Sequence, residues 1–468
     1  MNSESESKYK HAMATASIIM TLAWPTIIEQ VMQTAVQYID TAMVGVLGTH
    51  ATAAVGATTT ITWLIFSTIS ALSIGFLAFI ARECGAGNFQ RAREGVAQSV
   101  IVTLITGIVF TIGTLSLSGI VPVWMQVAPE IQHLTSVYFF VLYLPMLPRT
   151  AITIFGTVLR AAGDTKTPMR VGIIVNIINI VLNFLFIFET RTVSLMGFEF
   201  TMPGFGYGVV GAAIASAIAY TFGSIHITYI LWHHPQISPK GIKLKADPEI
   251  LKPCMKVALP NMFQRFGTSL GYVAFAAMIN SVGEVATAAH TIANTVESAF
   301  YIPAYGMQTA AATLTGNAYG AKDNKKMKSL SRMFMPIEFI LMMISGALLF
   351  AGAVPLMKIF STSPEVIEAG STVLKMVAVS EPFYGIAVIT EGLMMGVGKT
   401  QQPFIFNIIG MWGVRIVGTF ICIHFFAGGL ISAWACMIAH NMLLFILFTW
   451  VFVRGTWNPL NRINNKTI

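Results

Sequence analysis

Residues 43–54 read MVGVLGTHATAA, and residues 278–289 read MINSVGEVATAA, which is the same pattern 235 positions later. The same spacing relates GDTKTP at 163–168 to GKTQQP at 398–403. One uniform offset holds without gaps over about 150 positions, which is the signature of an internal duplication. The sequence therefore predicts a chain built from two similar halves.

The composition of both halves is that of a membrane protein. Of the 468 residues, 55% are hydrophobic and 10% are charged, so ionic groups are too few to cover a soluble protein of this size. We predict an all-α integral membrane protein with twelve transmembrane helices in two six-helix repeats. Apolar stretches of roughly 20 residues, long enough to cross a bilayer, can be centred near residues 27, 66, 106, 144, 178, 219, 269, 300, 342, 382, 414 and 441.

The positive charges predict the orientation of these helices. In the twelve-helix arrangement 22 of the lysines and arginines fall in loops on one side, and only Arg191 and Lys358 fall on the other. Cytoplasmic loops hold the excess of positive charge, so both termini are predicted to be cytoplasmic, in a plasma (inner) membrane. The net charge of +8 is then explained by topology, and no nucleic-acid partner is expected.

The domain organisation follows from the repeat. We expect an N-terminal lobe over residues 1–232, a basic cytoplasmic linker over 233–253 and a C-terminal lobe over 254–468. Both lobes start on the same side of the membrane, which makes them parallel repeats related by a pseudo-twofold axis along the membrane normal. Two similar bundles facing each other across a cleft suit transport by alternating access.

Polar residues that are present in only one half need a reason other than the shared fold. Asp40 corresponds to Phe275, and Glu29 corresponds to Gln264. An ionisable residue at membrane depth costs about 2.5 to 3.5 kcal/mol on insertion scales, so it usually faces a cavity or a partner on a transport path. At 100° per residue, one polar stripe on the first helix contains Glu29, Gln33, Gln37 and Asp40.

The fifth helix carries amides on one face. Asn176, Asn179 and Asn183 fall within an arc of about 60°, and their oxygens suit a hard cation or bound water. Together with the carboxylate of Asp40 they predict a site for a coupling ion, H⁺ or Na⁺. The alternative is that these asparagines form hydrogen bonds between helices and that Asp40 is an interfacial residue near the end of its helix.

The C-terminal half has a different polar face, which we predict to line a substrate cavity. Arg265 is the expected partner of Glu297 or Glu391, and a hydrogen-bonded core histidine is the alternative for His290. The predicted cavity residues are Gln264, Arg265, His290, Asn294, Glu297, Tyr301, Tyr384 and Glu391.

Nothing in the sequence indicates an enzyme or a nucleotide site. The stretch GLMMGVGKT at 392–400 resembles a phosphate-binding loop, but Leu393 stands where that motif needs glycine. We find no nucleophile constellation, and the four cysteines lack metal-ligand spacing. We expect no ATP, no cofactor and no metal beyond a possible Na⁺, with energy taken from a gradient. A monomer is expected.

The stretches LAWP at 22–25 and YIDTAMVGVLG at 38–48, the turn RAAGDTKTP and the asparagines of the fifth helix resemble the MATE (multidrug and toxic compound extrusion) family. The resemblance covers essentially the whole chain and is closer to the DinF-like branch than to the NorM-like one. It implies a cation site in the N-terminal lobe at Asp40, Asn179 and Asn183, with a hydroxyl at Ser216.

Two departures from the family pattern are evident. Many relatives have a second aspartate where this chain has Asn183, which removes a charge and leaves the coupling ion open. The carboxylate on the seventh helix of the NorM-like branch is absent, and Gln264 and Arg265 occupy that region.

The leading hypothesis is a transporter for multidrug efflux and drug resistance. It is an antiporter that exports organic cations and other amphipathic drugs or toxins in exchange for H⁺ or Na⁺, and Asp40 binds the coupling ion. The alternative is a lipid-linked precursor flippase of the same superfamily, which would prefer a wider and more basic cavity. A receptor or a membrane-embedded enzyme has little support.

Overall fold

A computed structural model describes residues 3–125, 127–195 and 198–461 of the chain, and these are almost wholly helical. Besides helices there is an antiparallel hairpin, β1 (Glu189–Leu195) and β2 (Phe198–Phe205), and a π-helical segment, Ile409–Ile416, that joins α14 to α15. The helices are α1 (Ser3–Gly45), α2 (Thr49–Gly85), α3 (Phe89–Leu117), α4 (Val121–Trp124), α5 (Pro129–Tyr143), α6 (Met146–Ala161), α7 (Lys166–Phe186), α8 (Gly208–Trp232), α9 (Pro248–Asn280), α10 (Glu284–Phe300), α11 (Ile302–Gly320), α12 (Asn324–Phe360), α13 (Pro364–Gly396), α14 (Gln401–Ile408), α15 (Val417–Phe426) and α16 (Leu430–Val453).

Nine of the twelve predicted spans each coincide with one helix, two coincide with a pair of helices broken near the predicted centre, and the eleventh is the continuous run of α14, the π-helical segment and α15. The fourth span is the pair α5 and α6, and the eighth is the pair α10 and α11. By length and composition, nine helices of the described chain suffice to cross a membrane, or ten if α5 and α6, bent by 46°, form one span. The others, α9 and the pair α10–α11, carry many of the polar residues predicted for the substrate cavity.

The repeated turns are fixed by glycine. In the two copies of the opening motif, Gly48 has φ of +106° and Gly283 has φ of +141°. In the second repeated motif, Gly163 has φ of +92° and Gly398 has φ of +77°. A residue with a side chain rarely adopts a positive φ, whereas glycine does so without steric cost. The sequence thus repeats because the same backbone turn is needed twice.

The chain divides into two compact units. The N-terminal unit consists of Ile28–Phe76 and Phe89–Leu251, and the C-terminal unit consists of residues up to Ile27, Leu77–Asn88 and residues from Lys252. These units differ from the predicted lobes because α1 and α2, with 43 and 37 residues, are each long enough to contribute to both. The lobe ranges 1–232 and 254–468, drawn from the repeat, stay a prediction. Arg462 and Lys466, which the charge count includes, lie outside the described residues.

Most of the predicted linker is held against α3 in the N-terminal unit. Arg93 donates to the carbonyls of Ser238 at 2.8 Å and Lys240 at 2.6 Å. Gln98 donates to the carbonyl of Lys245 at 2.8 Å and accepts from the backbone N–H of Asp247. At its start, burial lowers the pKa of His234, which favours the neutral ring whose Nδ1 accepts two backbone N–H groups at 3.3 Å.

Small residues allow the backbones of the C-terminal unit to approach closely. A Cβ on Gly85 would lie 2.0 Å from the carbonyl oxygen of Asn317, and a Cβ on Gly320 would lie 1.8 Å from that of Arg82. Gly85 and Gly320 are 235 residues apart, so the contact between α2 and α11 is made by equivalent residues of the two repeats. Glycine at helix contacts in membranes serves this close packing.

Candidate functional site

The N-terminal unit brings Asp40 into contact with α7. Asn183 Nδ2 donates to Asp40 Oδ1 at 2.6 Å. Asp40 lies five residues before the end of α1, and Asn183 is fully buried near the end of α7. The helical spacing places Asn179 one turn before Asn183 on the same face of α7, where it is also buried.

The amide of Asn179 joins the same hydrogen-bond network. We assign its Nδ2 toward Asp40, where it donates to Oδ1 at 2.9 Å, because the reverse orientation would bring two acceptor oxygens together. Its oxygen then accepts from the hydroxyl of Ser216 on α8 at 3.0 Å. The structure therefore brings together four residues predicted for the coupling ion: Asp40, Asn179, Asn183 and Ser216.

Two amide atoms on this face of α7 have no hydrogen-bond partner in the described chain. They are Asn183 Oδ1 and Asn176 Nδ2, and both are buried. A buried amide oxygen beside a carboxylate is a donor set that suits Na⁺, while the carboxylate alone suffices for H⁺. Asn183 and Asp40 would hold the ion, and no hydrogen bond links Asn176 to Asp40 in the described chain. The role of these residues as a coupling site stays a prediction.

The structure divides the predicted stripe on α1. Glu29 is paired with Arg160 of α6, with 2.9 Å between Oε2 and the guanidinium, and both side chains are mostly buried. Arg160 also donates to Thr157 at 3.0 Å. Gln33 and Gln37 lie on an exposed face. Glu29 therefore anchors α1 to α6, and of this stripe only Asp40 reaches the asparagines.

An arginine near Asp40 completes the electrostatics of this unit. The guanidinium of Arg149 lies 4.3 Å from the ring centre of Tyr220 and interacts electrostatically with Asp40. It forms no ion pair with Asp40 at contact distance within the described chain. The guanidinium therefore acts on Asp40 through space and leaves the hydrogen-bonding positions of the carboxylate to the amides of α7.

In the C-terminal unit the predicted cavity residues separate into smaller groups. Gln264 Nε2 donates to Glu391 Oε1 at 2.6 Å, and both side chains are buried. Arg265 donates to Asn261 at 3.3 Å and, in the described part of the chain, forms no ion pair with either predicted acid. Instead of the predicted pairing with one of these acids, Arg265 has only a longer-range electrostatic attraction to Glu391.

The predicted cavity residues on α10 and directly after it also lie in different surroundings. Tyr301 donates a hydrogen bond to Glu297, and its ring makes an edge contact with Tyr384 of α13 at 5.3 Å. Asn294 is exposed, although the angular count places it on the same face. His290 packs between the rings of Phe275 at 5.5 Å and Trp434 at 5.9 Å, so it contacts aromatic rings rather than a carboxylate.

Sequence reasoning assigned no role to three buried charged residues. Glu338 of α12 is fully buried and both its carboxylate oxygens lack a partner in the described chain. Glu381 of α13, which directly precedes Pro382, has the same property. Arg415 is 3% exposed. Each is an isolated charge in an apolar run, which is the signal that could have identified them.

Comparison with known proteins agrees with this architecture. A family model described as MatE matches residues 25–185 and 260–421, more than half of the chain, in two segments that begin 235 residues apart. The probable multidrug resistance protein NorM of Thermotoga maritima is 28% identical over 443 residues, covering 94% of this chain and 92% of that protein. The probable multidrug resistance protein YoeA of Bacillus subtilis is 26% identical, covering 88% and 87%.

Solved structures show the same fold. One is a multidrug resistance MATE family transporter of the MOP superfamily in an outward-facing conformation, which is 25% identical with a TM-score of 0.86 and coverage of 95% and 96%. Another is a MOP superfamily transporter from Pyrococcus furiosus, also 25% identical with a TM-score of 0.86, covering 96% and 97%. Its description reports a binding pocket of reverse polarity. These likenesses confirm the predicted fold of twelve helices in two repeats.

Proposed function

Since the chain belongs to the MatE family of transporters, we propose that it is an antiporter that exports organic cations and other amphipathic drugs or toxins in exchange for H⁺ or Na⁺. Relatives named as multidrug resistance proteins support small-molecule substrates. The observation that carries the proposal is the carboxylate of Asp40, whose Oδ1 accepts N–H groups from Asn183 and Asn179.

Protonation of Asp40 changes the strength of its attachment to α7. Hydrogen bonds to a charged group contribute about 1.5 to 3 kcal/mol, compared with about 1 kcal/mol for neutral pairs. Deprotonated Asp40 therefore holds the end of α1 against α7, and a bound proton weakens that hold. Where Na⁺ is the coupling ion, the carboxylate and Asn183 Oδ1 bind it, and its release returns Asp40 to the amide donors.

The division of α1 between the two units connects ion or proton binding at Asp40 to alternating access. Residues of α1 up to Ile27 pack in the C-terminal unit, and residues from Ile28 pack in the N-terminal unit. Pro25 lies just before this change, and proline is the commonest cause of a helix kink. The Glu29–Arg160 pair anchors the helix directly after it. We propose that the segment carrying Asp40 moves about this region.

The remaining details belong to the same proposal. The chain is a multi-pass membrane transporter, and we place it in the plasma (inner) membrane as a monomer with both termini cytoplasmic. It uses no ATP, so the ion gradient supplies the energy. Membership of the DinF-like branch stays a prediction.

The test is reconstitution of the purified protein in liposomes, with ethidium movement followed under an imposed Na⁺ gradient or an imposed pH gradient. We expect transport under one gradient, and Asp40→Asn should insert and fold yet transport no faster than protein-free liposomes. The matched control is Asp323→Asn, because Asp323 caps α12 by accepting from Lys326 N at 2.9 Å and asparagine caps equally well.

Undiminished gradient-driven transport in Asp40→Asn would refute the role of this residue. Absence of ethidium movement under either gradient, with accumulation of a lipid-linked intermediate when the gene is deleted, would favour the flippase alternative.

A further inference from the structure

The C-terminal unit contains a buried arginine without a counter-charge. The guanidinium carbon of Arg415 lies 4.1 Å from the ring centre of Phe275 and 4.8 Å from that of Tyr272. Its Nε has no hydrogen-bond partner, and no carboxylate of the described chain lies within ion-pair distance. Burying an unpaired charge costs several kcal/mol even after relaxation, so this arrangement needs an explanation.

The internal repeat relates the surroundings of Arg415 to the Asp40 site of the N-terminal half. Phe275 is the counterpart of Asp40, and Arg415 lies on the eleventh span, the counterpart of the fifth span that carries Asn183. Where the N-terminal half has an anionic side chain that receives amide donors, the C-terminal half has a cation stacked on a ring. The local charge is therefore reversed between the halves.

The neighbours of Arg415 add further hydrogen-bond donors without acceptors. His290 contacts both Phe275 and Trp434, and the ring of His440 packs against Gly410, five residues before Arg415 on the same π-helical segment. Trp434 Nε1, His290 Nδ1 and both ring nitrogens of His440 are buried and unpartnered in the described chain. Tryptophan and arginine can only donate, and each neutral histidine supplies one N–H.

We propose that Arg415, His290, Trp434 and His440 form a binding site for a small anionic group, either a free halide-sized anion or the carboxylate of a carried compound. Such a group neutralises the guanidinium and accepts the unpaired N–H groups at once. A buried donor left unsatisfied costs about 1 to 3 kcal/mol, which the anion removes. Arginine suits this role because its planar group stacks on rings while its N–H groups remain free to bind.

Glu297 is the acid that could compete with an external anion. It interacts electrostatically with Arg415, but it accepts a hydrogen bond from Tyr301 and lies beyond ion-pair distance of the guanidinium. The carried-compound reading rests on the proposed function, whereas the test does not, because anion binding can be measured without transport.

The test is the unfolding temperature of the purified protein in nanodiscs, titrated with sodium chloride or sodium acetate. A bulky sulfonate, the anion of HEPES, keeps the ionic strength and the sodium concentration constant. An anion that binds only the folded protein stabilises it by RT ln(1 + [L]/Kd), so above Kd the unfolding temperature rises with the logarithm of the anion concentration. We expect this rise with acetate, chloride or both in the wild type. A response to acetate alone would identify carboxylate recognition, and equal responses would identify a general small-anion site.

Arg415→Met should abolish the response, and Arg415→Lys should need an anion concentration at least tenfold higher for the same rise in unfolding temperature. Arg454→Met is the matched control, because Arg454 also stacks on an aromatic ring in the C-terminal unit but is exposed; its response should equal that of the wild type. Trp434→Phe keeps the buried ring and removes one donor, so it tests the site even if Arg415→Met fails to fold, and we expect binding severalfold weaker.

The proposal is overturned if neither anion raises the unfolding temperature of the wild type at constant ionic strength, or if Trp434→Phe and Arg415→Met respond as the wild type does. It is also overturned if Glu297→Gln responds to an anion while the wild type does not, because Glu297 would then be the internal counter-ion of Arg415.

Discussion

The two halves of this transporter have the same backbone plan and different chemistry at equivalent positions. In the N-terminal half the first helix is joined to the fourth span by the ion pair Glu29–Arg160. In the C-terminal half the residue equivalent to Glu29 is Gln264, and it joins the fourth span of its own repeat through Glu391. Both halves therefore need this contact, but only one uses opposite charges. The shared contacts maintain the fold, and the differing charges indicate specialised function.

The largest expected effect comes from breaking what the halves share. Gly320→Ala would place a methyl group 1.8 Å from the carbonyl oxygen of Arg82. Overpacking usually costs about 1 to 3 kcal/mol, and because a backbone atom cannot move aside here we expect the upper end or failure to fold. Thermal unfolding in detergent measures it. Gly113→Ala, with no atom within 4 Å of the added group, is the control and should be neutral or stabilising.

Breaking the ion pair of the N-terminal half should have the next largest effect. Glu29→Gln leaves Arg160 mostly buried beside a neutral amide, and removing one partner of a buried pair costs about 3 to 5 kcal/mol. Partial solvent access puts our expectation at the low end. Glu29→Gln combined with Arg160→Glu recreates the amide–carboxyl pairing of the other half and should recover part of the loss. Equal stability of the single and double variants in chemical unfolding would show that pairing is not the cause.

The equivalent contact in the C-terminal half should be worth less. Gln264→Leu removes the donor to Glu391 and leaves a buried carboxyl oxygen unsatisfied, which costs about 1 to 3 kcal/mol. Glu391→Gln retains a hydrogen-bonding partner for Gln264 and should cost less than Gln264→Leu. If unfolding measurements reverse this order, the charge of Glu391 matters more than the hydrogen bond.

The smallest effect is expected for an asparagine that the sequence grouped with the coupling site. Asn176→Ala removes an amide whose nitrogen has no partner, so stability should change by less than about 1 kcal/mol, with ion-driven transport retained. Asn183→Ala removes the 2.6 Å hydrogen bond to Asp40 and should lose most transport. Comparable transport in the two variants would mean that contact with Asp40 does not distinguish them.

Family membership confirms the predicted resemblance and the prediction that the chain is a transporter and not an enzyme. The duplication was visible in the sequence because repeated turns require repeated glycines, as at Gly48 and Gly283. The proximity of Asp40 to Asn179 and Asn183 was predictable, since residues on a regular helix keep their angular spacing. The coupling ion stays a prediction because a carboxylate and an amide oxygen serve either ion.

Other site residues could not be placed by angular spacing alone. Asn294 shares a predicted face with Glu297 but is exposed, whereas Glu297 is buried. Helical periodicity states which residues share a face, and it does not state which neighbouring helix covers that face or where the cover ends. Arg265 likewise pairs with Asn261 of its own helix rather than with a distant acid.

The sequence by itself determined the class of protein, the number of spans and the duplication, because composition, helix length and glycine turns act locally along the chain. Only the tertiary structure decided which partner each intramembrane charge has. Glu29 meets Arg160 across about 130 residues, Asp40 meets α7, and Arg415 meets aromatic rings instead of an acid. These contacts depend on how helices pack, and in a bilayer that packing decides whether a charge is paired, hydrogen-bonded or left for a ligand.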